Sequence, residues 1–400
     1  MAGEFRRRFW QPPRPHGDVI EDRTVSFLEL FYDLVYVVVV ARAAHTLAHD
    51  VSWRAVGEFA VIFSLIWIGW LNGSLYYDLH GREDGRTRTM VFAQMLVLAL
   101  LAVYTSEAAG ETGEEFAVVY TVFLGLFTGF WYSVRRQDTE EYGPITARYL
   151  SGMIISTITV GVSIFLDAES RLLVWAVLVV FYLGYTGWVA RSSERSFSLG
   201  VERTDTMAER LGLFTIIVLG EVVVGVVDGL AGSNLTPVVV TTGMLGLMIG
   251  FAFWWSYFDF VGRRLPREES TTLVKWFIAH LPLTMSIAAT GAAMVSMVEH
   301  AADDRTPAGT AWLMAGGIAV GLIALTLVMR TLVDWNRFPE LFRPIAYSLV
   351  VAAGGVLLVG WWQPVPWLMS LTLVVILGVV WFNAAKRWLR LDDPDAVFRD

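Results

Sequence analysis

Apolar runs of bilayer-crossing length recur along the whole chain, separated by short polar segments. A span takes about 20 mainly apolar residues at 1.5 Å of rise each. Windows of that size predict six helices at 26–48, 57–78, 89–106, 115–134, 146–166 and 171–190. Six more follow at 208–229, 237–259, 274–297, 310–332, 344–361 and 366–387. The expected fold is an all-α polytopic integral membrane protein with about twelve transmembrane helices and no separate soluble domain.

The charges orient these helices. Of thirty Lys and Arg, twenty-six fall at the two ends of the chain or in and around the even-numbered connections. Arg54, Arg171 and Arg305 lie in odd-numbered connections, beside acids such as Glu111, Glu114, Glu115, Asp303 and Asp304, and Arg42 lies within the first helix. Cytoplasmic loops carry the excess of Lys and Arg, so both termini are expected on the cytoplasmic face of the cell membrane. Residues 1–25 are polar and basic with Pro12, Pro13 and Pro15, and read as a short cytoplasmic arm rather than a cleavable signal peptide. Residues 391–400 read as a solvated tail.

Composition agrees. The chain is 55% hydrophobic and 17% charged, with mean hydropathy +0.54, against roughly 25% charged in soluble proteins. Seventeen Trp and thirteen Tyr suit two membrane interfaces. The absence of Cys excludes disulfides, thiolate metal sites and cysteine nucleophiles. A net charge of −8 speaks against nucleic-acid binding.

An internal repeat adds organisation. The second helix closes with Tyr76-Tyr77-Asp78-Leu79-His80-Gly81-Arg82, and the eighth with Tyr257-Phe258-Asp259-Phe260-Val261-Gly262-Arg263. Trp67 and Trp70 precede the first copy, Trp254 and Trp255 the second. Glu29 and Glu209 stand at matching places one helix earlier, and Gln94 and His280 one helix later. The spacing predicts two parallel six-helix repeats, 26–190 and 208–390, joined by a cytoplasmic linker at 191–207.

The same landmarks carry a family resemblance. Glu29-Leu30-Phe31-Tyr32-Asp33-Leu34-Val35-Tyr36-Val37 resembles the opening signature of the low temperature requirement A family of bacteria and archaea. Ala208-Glu209-Arg210-Leu211-Gly212-Leu213-Phe214 through Gly220-Glu221 is similar to its central motif. Trp254-Trp255, Tyr257-Phe258-Asp259 and His280-Leu281-Pro282-Leu283 complete the order. The resemblance implies a polytopic membrane protein and supplies no biochemical activity. Family members commonly carry a His three residues before the central Glu, where this chain has Thr206.

Several polar groups sit inside these runs, where a charge costs at least about 2.5–3.5 kcal/mol. Glu29 and Asp33 are spaced i, i+4 and share a helix face. Two close carboxylates do not both ionise cheaply, so the pair is suited to carry a proton. In the alternative, Glu29 sits at the interface beside a helix N-terminus and Asp33 pairs with a nearby arginine. Arg42 and Glu221 lie at similar depth in equivalent helices and are expected to form an ion pair across the repeats. His45 falls near the outer surface. His280 lies deeper, followed by Pro282, which frees backbone groups; it either titrates with Asp33 or Asp78 or simply bonds a backbone carbonyl.

Asp78, Arg82, Asp84, Arg86 and Arg88 crowd one short loop, whose default reading is a solvated one. Asn72 and Gln94 line a pathway or serve as interhelical glue, and Glu209 and Asp259 are the repeat partners of Glu29 and Asp78. No metal or cofactor motif is present.

These features favour a proton-coupled secondary transporter of a small solute. An embedded enzyme acting on lipid, or an ion channel, is the alternative. The lipid bilayer is the expected partner, and an oligomer is compatible with the sequence.

Overall fold

The computed structural model describes residues 9–18, 25–192 and 204–390. The expected tail and most of the linker lie outside the described residues. Among those described the fold is wholly helical, apart from one isolated bridge between Pro266 and Leu332. Helices α1 (Phe27–His49), α2 (Trp53–His80), α3 (Gly85–Thr105), α4 (Gly113–Arg135), α5 (Gly143–Ser163) and α6 (Ala168–Ser192) come first. They are followed by α7 (Asp205–Ala231), α8 (Pro237–Phe260), α9 (Ser270–Glu299) and α10 (Ala308–Met329). The short α11 (Asp334–Arg337) precedes α12 (Pro339–Trp362) and α13 (Pro366–Trp388).

Each of the twelve apolar runs is one long helix. The helices overrun the windows at polar ends: α2 begins at Trp53, α9 at Ser270 and α12 at Pro339. Backbone hydrogen bonding continues until a cap or a proline stops it, and hydropathy does not report that point. Asp84 caps α3 by accepting from the Thr87 amide. Thr236 caps α8, and prolines at the first turns of α8, α12 and α13 need no amide partner there.

Eleven of the long helices are long and apolar enough to cross a membrane. α1 stands outside that set and carries Glu29, Asp33 and Arg42. Its 23 residues rise about 34 Å, which matches a bilayer core. The protein is an all-α multi-pass membrane protein.

The chain forms two compact units whose boundary cuts through helices. The first holds the described residues up to Ala43, then Gly57–Arg210 and Glu268–Val274. The second holds Ala44–Val56, Leu211–Arg267 and the residues from Lys275 onward. The opening turns of α7, through Arg210, therefore belong with α1 to α6.

In the first unit α2 is the central element, with 72% of its most apolar stretch buried, against 28% for α5 and 22% for α6. Its core is aromatic: Trp67, Trp70, Trp131, Trp175, Tyr32, Tyr36 and Tyr77 are almost wholly buried. In the second unit α9 holds that place, with 89% of its stretch buried. α7 and α9 meet there backbone to backbone. A Cβ on Gly225 would stand 2.2 Å from the Gly291 carbonyl oxygen, and one on Gly291 would stand 2.7 Å from the Glu221 carbonyl. Only glycine allows that approach.

Candidate functional site

Arg210, fully buried in the opening turns of α7, is shared by two carboxylates of α1. Its Nη1 donates to Glu29 Oε1 at 3.3 Å and its Nη2 to Asp33 Oδ1 at 2.9 Å. The i, i+4 spacing puts both acids on one face of α1, so a single guanidinium reaches both. Glu29 and Asp33 are only 4% and 2% exposed. Trp70 of α2 donates its indole N–H to the same Asp33 oxygen at 2.9 Å. The second Glu29 oxygen accepts from the Ser26 amide and hydroxyl, both at 3.0 Å.

The bonding is uneven. Asp33 Oδ1 has two donors, while Asp33 Oδ2 is buried without a hydrogen-bond partner. Both acids ionised leave the cluster one unit negative, and one proton makes it neutral. Tyr32 and Tyr36 extend the face, their hydroxyls 3.1 Å apart.

Other polar groups of the first unit are built into helix contacts. Tyr77 donates a short hydrogen bond to Gln94 Oε1, and Gln94 is completely buried. Asn72 donates to the Ile68 carbonyl at 2.8 Å and to the Tyr182 hydroxyl at 2.7 Å. It lines a small cavity with Tyr120, Met153, Ser156 and Tyr182, and its Oδ1 has no partner. Asp78 accepts from the Thr204 hydroxyl at 2.7 Å.

The loop after α2 is only partly solvated: Asp78, Asp84 and Arg86 are buried, while Glu83 and Arg88 are exposed. The reason is the N-terminal arm, whose described part is also packed rather than free. Arg14 donates to the Asp78 carbonyl at 2.6 Å and the Gly81 carbonyl at 2.8 Å, closing the end of α2. The His16 Nδ1–H donates to Asp138 at 3.0 Å, and Thr146 donates to the same carboxylate. Asp138 lies between α4 and α5. Burial pushes its carboxyl up, but the His16 and Thr146 hydrogen bonds outweigh that and hold it below the usual range.

The second unit repeats two of these local arrangements. The Tyr257 hydroxyl stands 3.3 Å from His280 Nε2, as Tyr77 bonds Gln94 one helix further along. Arg264 donates to the Asp259 carbonyl at 3.1 Å, as Arg14 does to that of Asp78. The His280 Nδ1–H donates to the Trp276 carbonyl at 2.7 Å, which satisfies the ring within its own helix. The half-buried Asp259 carboxylate lies in reach of the Trp255 and Trp381 indoles, and Arg264 also pairs with Asp334. Glu221 is buried where α7 meets Gly291 of α9.

Three of the expected site residues are exposed. Arg42 is exposed, and neither it nor Glu221 has an ion-pair partner among the described residues. Nine residues beyond Asp33, at about 100° each, carry Arg42 to the opposite side of α1. His45 is exposed and stacks on His49 at 4.3 Å. Glu209 is exposed, and its neighbour Arg210 takes the inner face.

Arg210 is the residue that the sequence reading passes over. Thr206, Met207, Arg210, Leu211, Phe214 and Val218 form the buried stripe of α7. An arginine inside an otherwise apolar stripe was the available signal. His16, Asp138 and Thr146 gave none, since residues far apart in the chain bring them together.

A bundle of membrane-length helices with an ion triad buried among them defines a polytopic membrane protein with an internal charge centre. The chain belongs to the bacterial low temperature requirement A protein family, whose model matches residues 24–380. It is 31% identical over 264 residues to an uncharacterised protein of Rhizobium meliloti (strain 1021), a match covering 62% of this chain and 61% of that relative. No solved structure matches.

Proposed function

We propose that the protein is a proton-coupled secondary transporter of a small solute in the cell membrane, with Asp33 as its proton carrier. The observation that carries this reading is the sharing of Arg210 by Glu29 and Asp33, with Asp33 Oδ2 buried and unpartnered. A proton arriving there makes the triad neutral and breaks none of the existing bonds. Its departure restores one buried negative charge. A solute whose binding favours one of these two states is thereby linked to proton binding.

Glu29, with both oxygens engaged, holds Arg210 in place. The distribution of basic residues supports cytoplasmic termini. The Tyr77–Gln94 and Tyr257–His280 contacts support descent of the two halves from one six-helix unit.

The test is reconstitution in liposomes loaded with a pH-sensitive dye, with a proton gradient imposed and candidate solutes scanned. Wild type should move protons only with its solute, and Asp33→Asn should abolish that movement while leaving the protein folded. Wild-type flux in Asp33→Asn would overturn the assignment. Proton flux without any solute would favour a channel. Altered lipid with no flux would favour an enzyme.

A further inference from the structure

We propose that residues 9–18 form a strap, latched across the end of α2 at neutral pH and released on acidification. The strap is fixed at both of its ends. The Gln11 amide donates to Asp84 at 2.8 Å, the Arg14 amide to the His80 carbonyl at 3.2 Å, and the His16 amide to Asp138 at 3.1 Å. The His80 Nδ1–H returns a bond to the Arg14 carbonyl at 2.7 Å.

At the centre lie two imidazoles, His16 of the strap and His80 of α2, edge to face with centroids 4.5 Å apart. Trp131 and Tyr142 close around His16, and Trp131 and Tyr76 around His80. Each ring spends its Nδ1–H on the latch, and each Nε2 is buried without a hydrogen-bond partner.

The charged groups around the rings decide how many protons the latched state holds. From the α4–α5 connection, Asp138 contacts His16 directly. On α2, the Asp78 carboxylate accepts from Thr204, and after α2 the Asp84 carboxylate accepts from Gln11 and Thr87. Among the cations, Arg14 donates to backbone carbonyls, Arg82 pairs with Asp18, Arg86 of α3 bonds Ser133, and Arg135 of α4 lies against Gly143.

An imidazolium at His80 would stand beside the His16 ring and beside Arg14, with no acid in contact with it among the described residues. Once released, the His80 ring meets water and titrates as an ordinary histidine near pH 6.5. The released state thus binds one proton more, and below that pH each unit of acidification favours release by up to roughly tenfold.

Hydrogen–deuterium exchange of the full chain in lipid nanodiscs, corrected for intrinsic rates, tests this on the Gln11, Arg14 and His16 amides. Wild-type protection should fall roughly fivefold between pH 6.5 and pH 5.5, with the α2 interior unchanged. His80→Gln keeps an amide donor and cannot titrate, so its strap should stay protected at both pH values. Asp138→Asn should lower strap protection already at neutral pH. Equal wild-type protection at both pH values would overturn the proposal. So would an equal fall in His80→Gln, or a loss that extends into α2.

Discussion

Replacing Arg210 with Met removes the cation that Glu29 and Asp33 share and leaves two acids facing each other in a dry site. At an effective dielectric of about 20, contacts of 2.9 and 3.3 Å each represent roughly 5–6 kcal/mol of attraction. The desolvation of a fully buried guanidinium offsets much of that, and breaking a buried pair typically nets about 3–5 kcal/mol of destabilisation. For Arg210→Met the apparent Tm in nanodiscs, followed by tryptophan fluorescence, should fall on the order of 5–10 °C.

Adding Asp33→Asn to that variant removes one of the two acids left facing each other. It should recover a substantial part of the loss, a coupling that independent sites do not show. Asp33→Asn alone should cost about 1–3 kcal/mol, because the amide oxygen still accepts from Trp70 and Arg210 while the amide N–H groups take the buried, partnerless Oδ2 place. The reasoning fails if Arg210→Met melts within about 1 °C of wild type, or if the second substitution recovers nothing.

The glycine contact of the second unit predicts an asymmetric pair. Gly225→Ala drives a methyl to 2.2 Å from the Gly291 carbonyl and should cost about 1–3 kcal/mol. Gly316→Ala meets nothing within 4 Å and should be neutral or stabilise by up to about 1 kcal/mol in the same melts. The Asp138 carboxyl is held low, so its contribution is complete above the ordinary value of about 3.9 and lost as pH falls through the depressed one. The Tm difference between wild type and Asp138→Asn should therefore vanish only below about pH 4.

The twelve long helices were legible because hydropathy over twenty residues reports the bilayer directly. The site was half legible. Glu29 and Asp33 declare themselves as acids in an apolar run, and their spacing calls for one cation. Depth along the chain pointed to Arg42 as the cation to pair across the repeats, whereas helical phase decides, and phase points Arg42 the other way. Glu209 and Arg210 differ in the same way, by one residue and about 100° of rotation. The docked arm was illegible for another reason. Proline-rich polar sequence looks solvated until the tertiary structure supplies acceptors such as the Asp78 and Gly81 carbonyls.

The strap also has a history during synthesis. His16 precedes its partners Asp138 and Thr146 by 122 and 130 residues. At 5–20 residues per second, the ribosome takes on the order of ten seconds to deliver them. Throughout that interval the strap lacks its His16 anchor, while the Arg14 and Gln11 partners, 64 to 73 residues away, are already made. Biogenesis therefore passes through a half-fastened strap, and the last anchor to form is the one at the α4–α5 connection.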